Sequence, residues 1–522
     1  MKDTRKLLCG LLLSAFLLLF FLPTHGQAEE LRILYMNDFH GFAAPQKLLG
    51  SDETQGGIAY VAALIDRLRK EKPTLLLAAG DMIQGDAWAN IFQGKPVIEI
   101  MNTMRFDAMV VGNHEFDFGQ EALKQRILEA GFPVLGANVS GFSALRPYVL
   151  KEIAGLKVAI IGLVTQDTPT ATRWGNVEGL TFLSVADTSE RYVAELRNKV
   201  DIIVVLSHIG YNADMVLANT VKGIDLIVGG HSHTKVDKQI LIGDTLLVQA
   251  WEHALVLGVL DLQIKDGKII EAKNRLEEIR PASMVKDPSV AAIVEKYSTQ
   301  VNGALNKVIG HTEIDLDGDN VRVRETNLGD LIADIMRKES SADVAIINGG
   351  AIRTSIRRGA IKAGDIYSTV PFDNYIVAMK VSGKQIHDAL EHGVSAVESK
   401  DGRFPQVSGI SLTYSTSENP GARIRAITVN TDPLDDGKTY TVATTDFLAA
   451  GGDAYQVFRD AIRDSGGFSV TGGTIKSPGI VYNDAGRWLN EVVVQYIMGQ
   501  KKIGPKTEGR IRQVDCNENI CK

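Results

Sequence analysis

Seven short apolar runs recur between residues 31 and 233: "LRILYMND", "TLLLAAGD", "AMVVGN", "FPVLGAN", "KVAIIGLV", "DIIVVLSH" and "IDLIVGGHSH". Each is too short for a helix and is bounded by Gly or a polar residue, so each reads as a buried strand. Several are separated by stretches of helical period, such as "GGIAYVAALIDRLRKEK" with apolar residues at 58, 61, 64, 65 and 68. Strands alternating with amphipathic helices predict α/β layers. The polar residues sit just past the strand ends, where open α/β sheets place their ligands.

The texture changes after residue 280. "PASMVKDPSVAAIVEKYSTQVNGALNKVIG" opens with proline and continues as an amphipathic helix with no strand partner, so it reads as a joint. A second α/β unit follows, with strands predicted in "ADVAIINGG", "IVAMKVSG", "GISLTYS" and "YTVATTDFL". The expected division is a leader over 1–28, a first unit over 29–280, a linker helix over 281–305, a second unit over 306–515 and a tail over 516–522.

At 522 residues, 45% hydrophobic and 23% charged, the chain has ample material for two cores. A net charge of −7 without any long Lys/Arg run argues against a nucleic-acid polymer as partner. The first residues combine a basic start (Lys2, Arg5, Lys6), an apolar run from Leu7 to Leu22 and small residues at Gly26 and Ala28. That is the anatomy of a secretory signal, so the mature protein is expected outside the inner membrane, periplasmic or extracellular, and without a stable membrane insertion. Only Cys516 and Cys521 remain after its removal, and in an oxidising compartment they could close a small loop or stay as free thiols.

The strand ends of the first unit collect Asp38 and His40 ("NDFHG"), Asp81 ("AAGD"), Asn113 and His114 ("GNHEFD"), His208 ("LSH"), and His231 and His233 ("GGHSH"). Five of the ten histidines stand in these motifs. A set of His, Asp and Asn without Cys suits a mixed nitrogen/oxygen site for Zn, Mn, Fe or Co rather than a structural zinc. One such motif is weak; the ordered set on strand ends is specific.

Together these motifs resemble the calcineurin-like metallophosphatases and, with "GNHEFDFG" and "GGHSH", the 5′-nucleotidase/UDP-sugar hydrolase family. The resemblance implies a four-layer αββα domain with two divalent ions, Zn, Mn or Co. Asp38, His40 and His233 would bind one, Asn113, His208 and His231 the other, and Asp81 would bridge. Some relatives have Gln at the place of His233. The resemblance further implies that His114 stabilises the phosphate transition state and that Asp117 orients it, while Glu115 has a supporting role.

In the second unit an Arg beside a Gly-Gly turn suits anion binding, and aromatic residues near turns can stack on flat rings. Read from the residues alone, these are as compatible with solvated arginines and core phenylalanines. The motifs "NVRVRETNLGD", "INGGAIRTSIRRG", "STVPFDN" and "TTDFLAAGGDAY" resemble the family's C-terminal domain, which holds the nucleoside. Carried over, Phe372 and Phe447 would sandwich the base, Arg322, Arg353 and Asn348 would hold phosphate, Asp453 the ribose, and Asn374 would face the base. Arg324 and Arg357 lie close by in sequence. Asp446 and Ala454 depart from the family's usual "N-F" and "GGDG", which points to a base-binding rim of altered shape. The implied activity is phosphate release from nucleoside 5′-monophosphates, with di- and triphosphates or UDP-sugars as further substrates. Rival readings are a 2′,3′-cyclic phosphodiesterase/3′-nucleotidase, a thiosulfohydrolase on a related scaffold, and a secreted nucleotide-binding protein without catalysis.

Overall fold

A computed structural model describes residues 28–47, 53–172, 174–467, 469–471 and 474–514. The leader, apart from Ala28, and both Cys516 and Cys521 lie outside them. The first unit holds two six-stranded sheets. In one, Glu29–Met36 pairs in parallel with Thr74–Ala78, Leu34 opposite Leu76, and antiparallel with Val256–Lys265, Ile33 opposite Leu260. In the other, Ile202–His208 lies in parallel between Leu156–Val164 and Leu226–Gly229.

The period of two along these strands builds the layers. Leu34, Met36, Leu76 and Met109 pack under helices Ile58–Arg69 and Lys95–Met104. Their neighbours Ile33, Tyr35, Leu77 and Val110 point the other way and meet Val204, Leu206 and Val228 of the second sheet. On that sheet's far face Ile203, Val205 and Ile227 pack under helices Val185–Leu196 and Tyr211–Thr220. Strands buried on both faces explain the unbroken apolar runs in the sequence. The result is a four-layer αββα unit.

The second unit is built on a five-stranded mixed sheet whose order is Pro405–Ser408, Val344–Asn348, Thr439–Thr445, Tyr375–Ser382, Ile480–Trp488. Alternation again divides two cores. Ile346, Val377 and Met379 face Ile386 and Leu390 of helix Gly383–Val394. Ile347, Ile376 and Ala378 face Ile332 and Met336 of helix Asn327–Ser340, and Val493 and Ile497 of helix Leu489–Gln500.

Between the units Pro281–Ser283 forms a separate 3-10 turn, and the long helix starts at Pro288 rather than at 281. Asp287 fixes that start, its side chain accepting the Val290 N–H at 2.8 Å. Val290, Tyr297 and Val301 are buried in the first unit's helical core, so this helix belongs to that unit's packing as far as Leu305. Among the described residues no helix is long and apolar enough to cross a membrane.

Candidate active site

Just past the ends of strands Glu29–Met36, Thr74–Ala78 and Leu226–Gly229, five motif residues adopt left-handed backbone without being glycine. They are Asp38 (φ +48°), His40 (+50°), Asp81 (+53°), His231 (+74°) and His233 (+50°). Such conformations are costly for side chains with a Cβ and persist where the surroundings over-determine them, typically at functional sites. Here they turn the side chains inward to one point. The ligating atoms of Asp38, His40 and His233 lie within 4.8 Å of one another, as do those of Asp81, His208 and His231.

The imidazoles are preset. His40 Nδ1 donates to the Gln84 carbonyl at 2.7 Å and His208 Nδ1 to the Ala79 carbonyl at 2.6 Å, which leaves a lone pair on each Nε2. His40 Nε2 lies 3.3 Å from His233 Nε2, an arrangement of two facing acceptors that a cation would satisfy. Asp81 Oδ2 is 3.0 Å from His208 Nε2 and 3.8 Å from His40 Nε2, so it stands between the two groups. His208 Nε2 makes no hydrogen bond in spite of that short distance, as expected of two lone pairs converging on a place that a cation would fill. Asn113 Nδ2 donates to the Ala171 carbonyl at 3.0 Å, while its buried Oδ1 has no hydrogen-bond partner. Orphaned buried acceptors, converging imidazole nitrogens and two carboxylates fit divalent cations.

"GNHEFD" does two jobs. Asn113 leads into a single 3-10 turn, His114–Phe116, which brings positions 114 and 117 together. His114 Nδ1 donates to Asp117 Oδ2 at 2.6 Å. Burial disfavours charge on His114, yet Asp117 and Asp81 outweigh it and raise its pKa above the usual histidine value. Between them, Glu115 is buried and accepts the N–H groups of Asp81 (2.8 Å), Met82 (2.7 Å) and Gly112, tying two strand-end loops into one frame.

A cavity of about 910 Å³ runs from this cluster between the two units. Arg322, Asn348, Arg353, Phe372, Asn374, Phe447 and Asp453 all line it, opposite Asp81, Asn113, His114, Asp117, His231 and His233. Arg353 reaches across, its Nη2 donating to His40 Nε2 at 2.9 Å. Burial, with Arg322 beside it, lowers the pKa of Arg353 to about 10, so the pair forms a place that an anion would relieve. Phe372 stacks on His114, ring centroids 5.4 Å apart. Phe447 lies flat on Gly452, where a Cβ would come within 2.5 Å of its ring. Asp453 accepts from Asn348 Nδ2 at 2.5 Å, and burial, with Asp401 adding to it, raises its pKa to about 6.

Not everything was legible. Arg324 pairs with Asp317 at 2.8 Å and Arg357 with Asp315 at 3.0 Å, and neither lines the cavity. Ala454, at the place where the family's usual motif has Gly, has a left-handed backbone (φ +59°), which adds strain to the rim. Asp446 is buried and accepts the Tyr375 N–H at 3.0 Å. Thr172 was missed: its hydroxyl donates to Asp117 Oδ1 at 2.5 Å from 55 residues away, a separation with no sequence signal.

Two family models match the chain: the calcineurin-like phosphoesterase over residues 31–235 and the 5′-nucleotidase C-terminal domain over residues 308–460. The chain is 31% identical to a snake venom 5′-nucleotidase of Naja atra, across 87% of this chain and 97% of that one. It is 33% identical to a trifunctional nucleotide phosphoesterase protein of Bacillus subtilis (strain 168), covering 86% of this chain but spanning only 33% of that longer protein. Among solved structures, a 5′-nucleotidase precursor from Thermus thermophilus superposes with a TM-score of 0.83 at 33% identity, over 93% of this chain and 99% of that one. With both halves matched in order and nearly the whole chain covered, the protein belongs to the 5′-nucleotidase family and is a hydrolase of phosphoric esters.

Proposed function

We propose that the chain is an exported enzyme that releases phosphate from nucleoside 5′-monophosphates, with two divalent ions, Zn, Mn or Co, held by Asp38, His40, His233, Asn113, His208, His231 and the shared Asp81. The observation that carries the reading is one cavity with Asp81, Asn113, His231, His233 and the His114–Asp117 pair on one wall and Arg322, Arg353, Phe372, Phe447 and Asp453 on the other. Such a cavity suits a substrate with a phosphate at one end and a flat base at the other. The relationship to a trifunctional nucleotide phosphoesterase supports a range of nucleotide esters rather than one. Export is supported by the leader-like residues 1–28 and by a relative named as a venom protein.

When bound, divalent cations supply positive charge that acidifies an attacking water and polarises phosphoryl oxygens. The chain's own residues do the rest. Arg353 and Arg322 grip the phosphate oxygens and orient the ester toward the cluster. His114, kept protonated by Asp117, offsets negative charge that builds on the phosphoryl group as the bond to the 5′ oxygen breaks. Asp117 holds the ring by Nδ1, which turns Nε2 to the reacting centre. Phe372 and Phe447 supply faces for the base, and Asp453 accepts from ribose hydroxyls.

The test is phosphate release from AMP, cyclic 2′,3′-AMP, ATP and UDP-glucose by the metal-stripped chain and after restoring Zn, Mn or Co. Metal-dependent release from AMP that drops at least about a hundredfold in His114→Ala is the expected result. Release from the cyclic substrate with AMP untouched would instead establish the phosphodiesterase reading. Nucleotide binding without turnover under every metal would overturn the enzyme.

A further inference from the structure

The turn Trp251–Ala254, which follows strand Thr245–Gln249, has no place in the machinery described so far. Three of its four residues are left-handed without being glycine: Trp251 (φ +53°), His253 (+53°) and Ala254 (+55°). The turn is tied to the loop that carries Asp38 and His40. Asn37 Nδ2 donates to the Trp251 carbonyl at 2.5 Å, and the His253 N–H donates to the Asp38 carbonyl at 2.8 Å. A conformation so costly and so firmly held needs a reason.

Its effect is to press the Glu252 carboxylate onto the back of His233, whose Nδ1 donates to Glu252 Oε2. That bond fixes the proton on Nδ1 and leaves Nε2 unprotonated, 3.4 Å from Asp38 Oδ1 and 3.3 Å from His40 Nε2. The buried His253 ring packs on Phe42 at 4.0 Å and edge-on to both His40 and His233, at 5.9 and 6.0 Å, closing that side of the cluster. His40 and His208 rest on neutral carbonyls of Gln84 and Ala79, whereas His233 rests on a full negative charge. A carboxylate behind an imidazole makes the ring a stronger ligand. The two halves of the cluster therefore differ. One has the carboxylate of Asp38, a share of Asp81 and Glu252 behind; the other has a share of Asp81 and the neutral amide of Asn113.

We propose that Glu252 is a positioning residue that fixes the tautomer of His233 and makes the Asp38–His40–His233 position the tighter of two divalent-cation sites. The proposal rests on the ligand reading above and does not depend on the substrate. The experiment is titration of the metal-stripped full chain with zinc against a competing chelator, read as metal occupancy, not activity. Two steps are expected. Asn113→Ala should weaken the second step and leave the first unchanged. Glu252→Gln, which keeps the shape but removes the charge, should weaken the first step about tenfold or more and leave the second within about threefold. Placed on a His233→Ala background, Glu252→Gln should have no further effect, since alanine has no side-chain N–H to donate to Glu252. Glu252→Asp controls for folding, with the melting temperature of each stripped variant measured alongside. An unchanged first step in Glu252→Gln overturns the proposal, as does an equal loss on the His233→Ala background, which would mean a general charge effect. A chain that binds no zinc overturns the ligand reading itself, and this proposal with it.

Discussion

The Thr172 hydroxyl shows how much of the chemistry depends on one hydrogen bond from a distant part of the chain. It donates to Asp117 Oδ1 while His114 donates to Oδ2, so Asp117 is held from both sides. Thr172→Val keeps the volume and removes the donor. It is expected to lower kcat on AMP about tenfold with KM changed less than about threefold, since the pair matters most in the transition state; Thr172→Ser should restore most of the loss. Steady-state kinetics of the three proteins decide it. The His114–Asp117 pair was expected only through the family resemblance, and the 3-10 turn His114–Phe116 is what brings the two side chains together. Thr172 was not expected, because only the packing of the first unit brings residue 172 to residue 117.

Among elements, the rim loop Gly452–Ala454 and helix Asn327–Ser340 each make a prediction. Ala454 holds φ +59°. Ala454→Gly relieves that strain but loosens the unfolded chain, so a net gain of about 0 to 1 kcal/mol in urea unfolding is expected, with the path of the loop unchanged. In the helix, Asp330 is buried and neither carboxylate oxygen has a hydrogen-bond partner. Burial, with Glu325 adding to it against Arg510, raises its pKa to about 8. The unfolded chain releases this proton near pH 4 while the folded chain keeps it to about 8, so the unfolded state binds fewer protons across that window. The contribution of Asp330 to stability therefore falls as pH rises from about 4 to about 8. Asp330→Asn, neutral at every pH, should flatten that slope and be the more stable protein at pH 8. Urea midpoints at about pH 5 and pH 8 for both proteins test it. The opposite sign, with the variant losing ground as pH rises, would show that Asp330 is ionised in the folded state.

At the scale of the whole molecule, stability and activity meet in the cluster between sheets. Ions that bind the folded chain alone stabilise it by mass action, so stripping them should lower the unfolding free energy by about 3 to 4 kcal/mol for each ion removed, relative to the chain at roughly 100- to 1,000-fold excess over Kd. Restoring zinc should recover the loss, and unfolding curves unmoved by chelator would argue against the proposed sites. Tyr297 and Val301 anchor the joint helix in the first unit's core, so the connection outside that core begins after Leu305. The α/β class, the strands and the residues standing at their ends could be read directly, since alternation and apolar runs are local consequences of burying both faces of a sheet. The rest was decided in three dimensions. Which nitrogen of His40 and of His208 keeps its lone pair depends on the carbonyls of Gln84 and Ala79, on distant loops. Whether an arginine of the second unit faces the cluster, as Arg353 does, or an aspartate on the outside, as Arg324 does, depends on how two sheets and a helix stack. Hydrogen bonds and charges act over a few ångströms of space, whereas the signals in a sequence reach only a few residues along the chain.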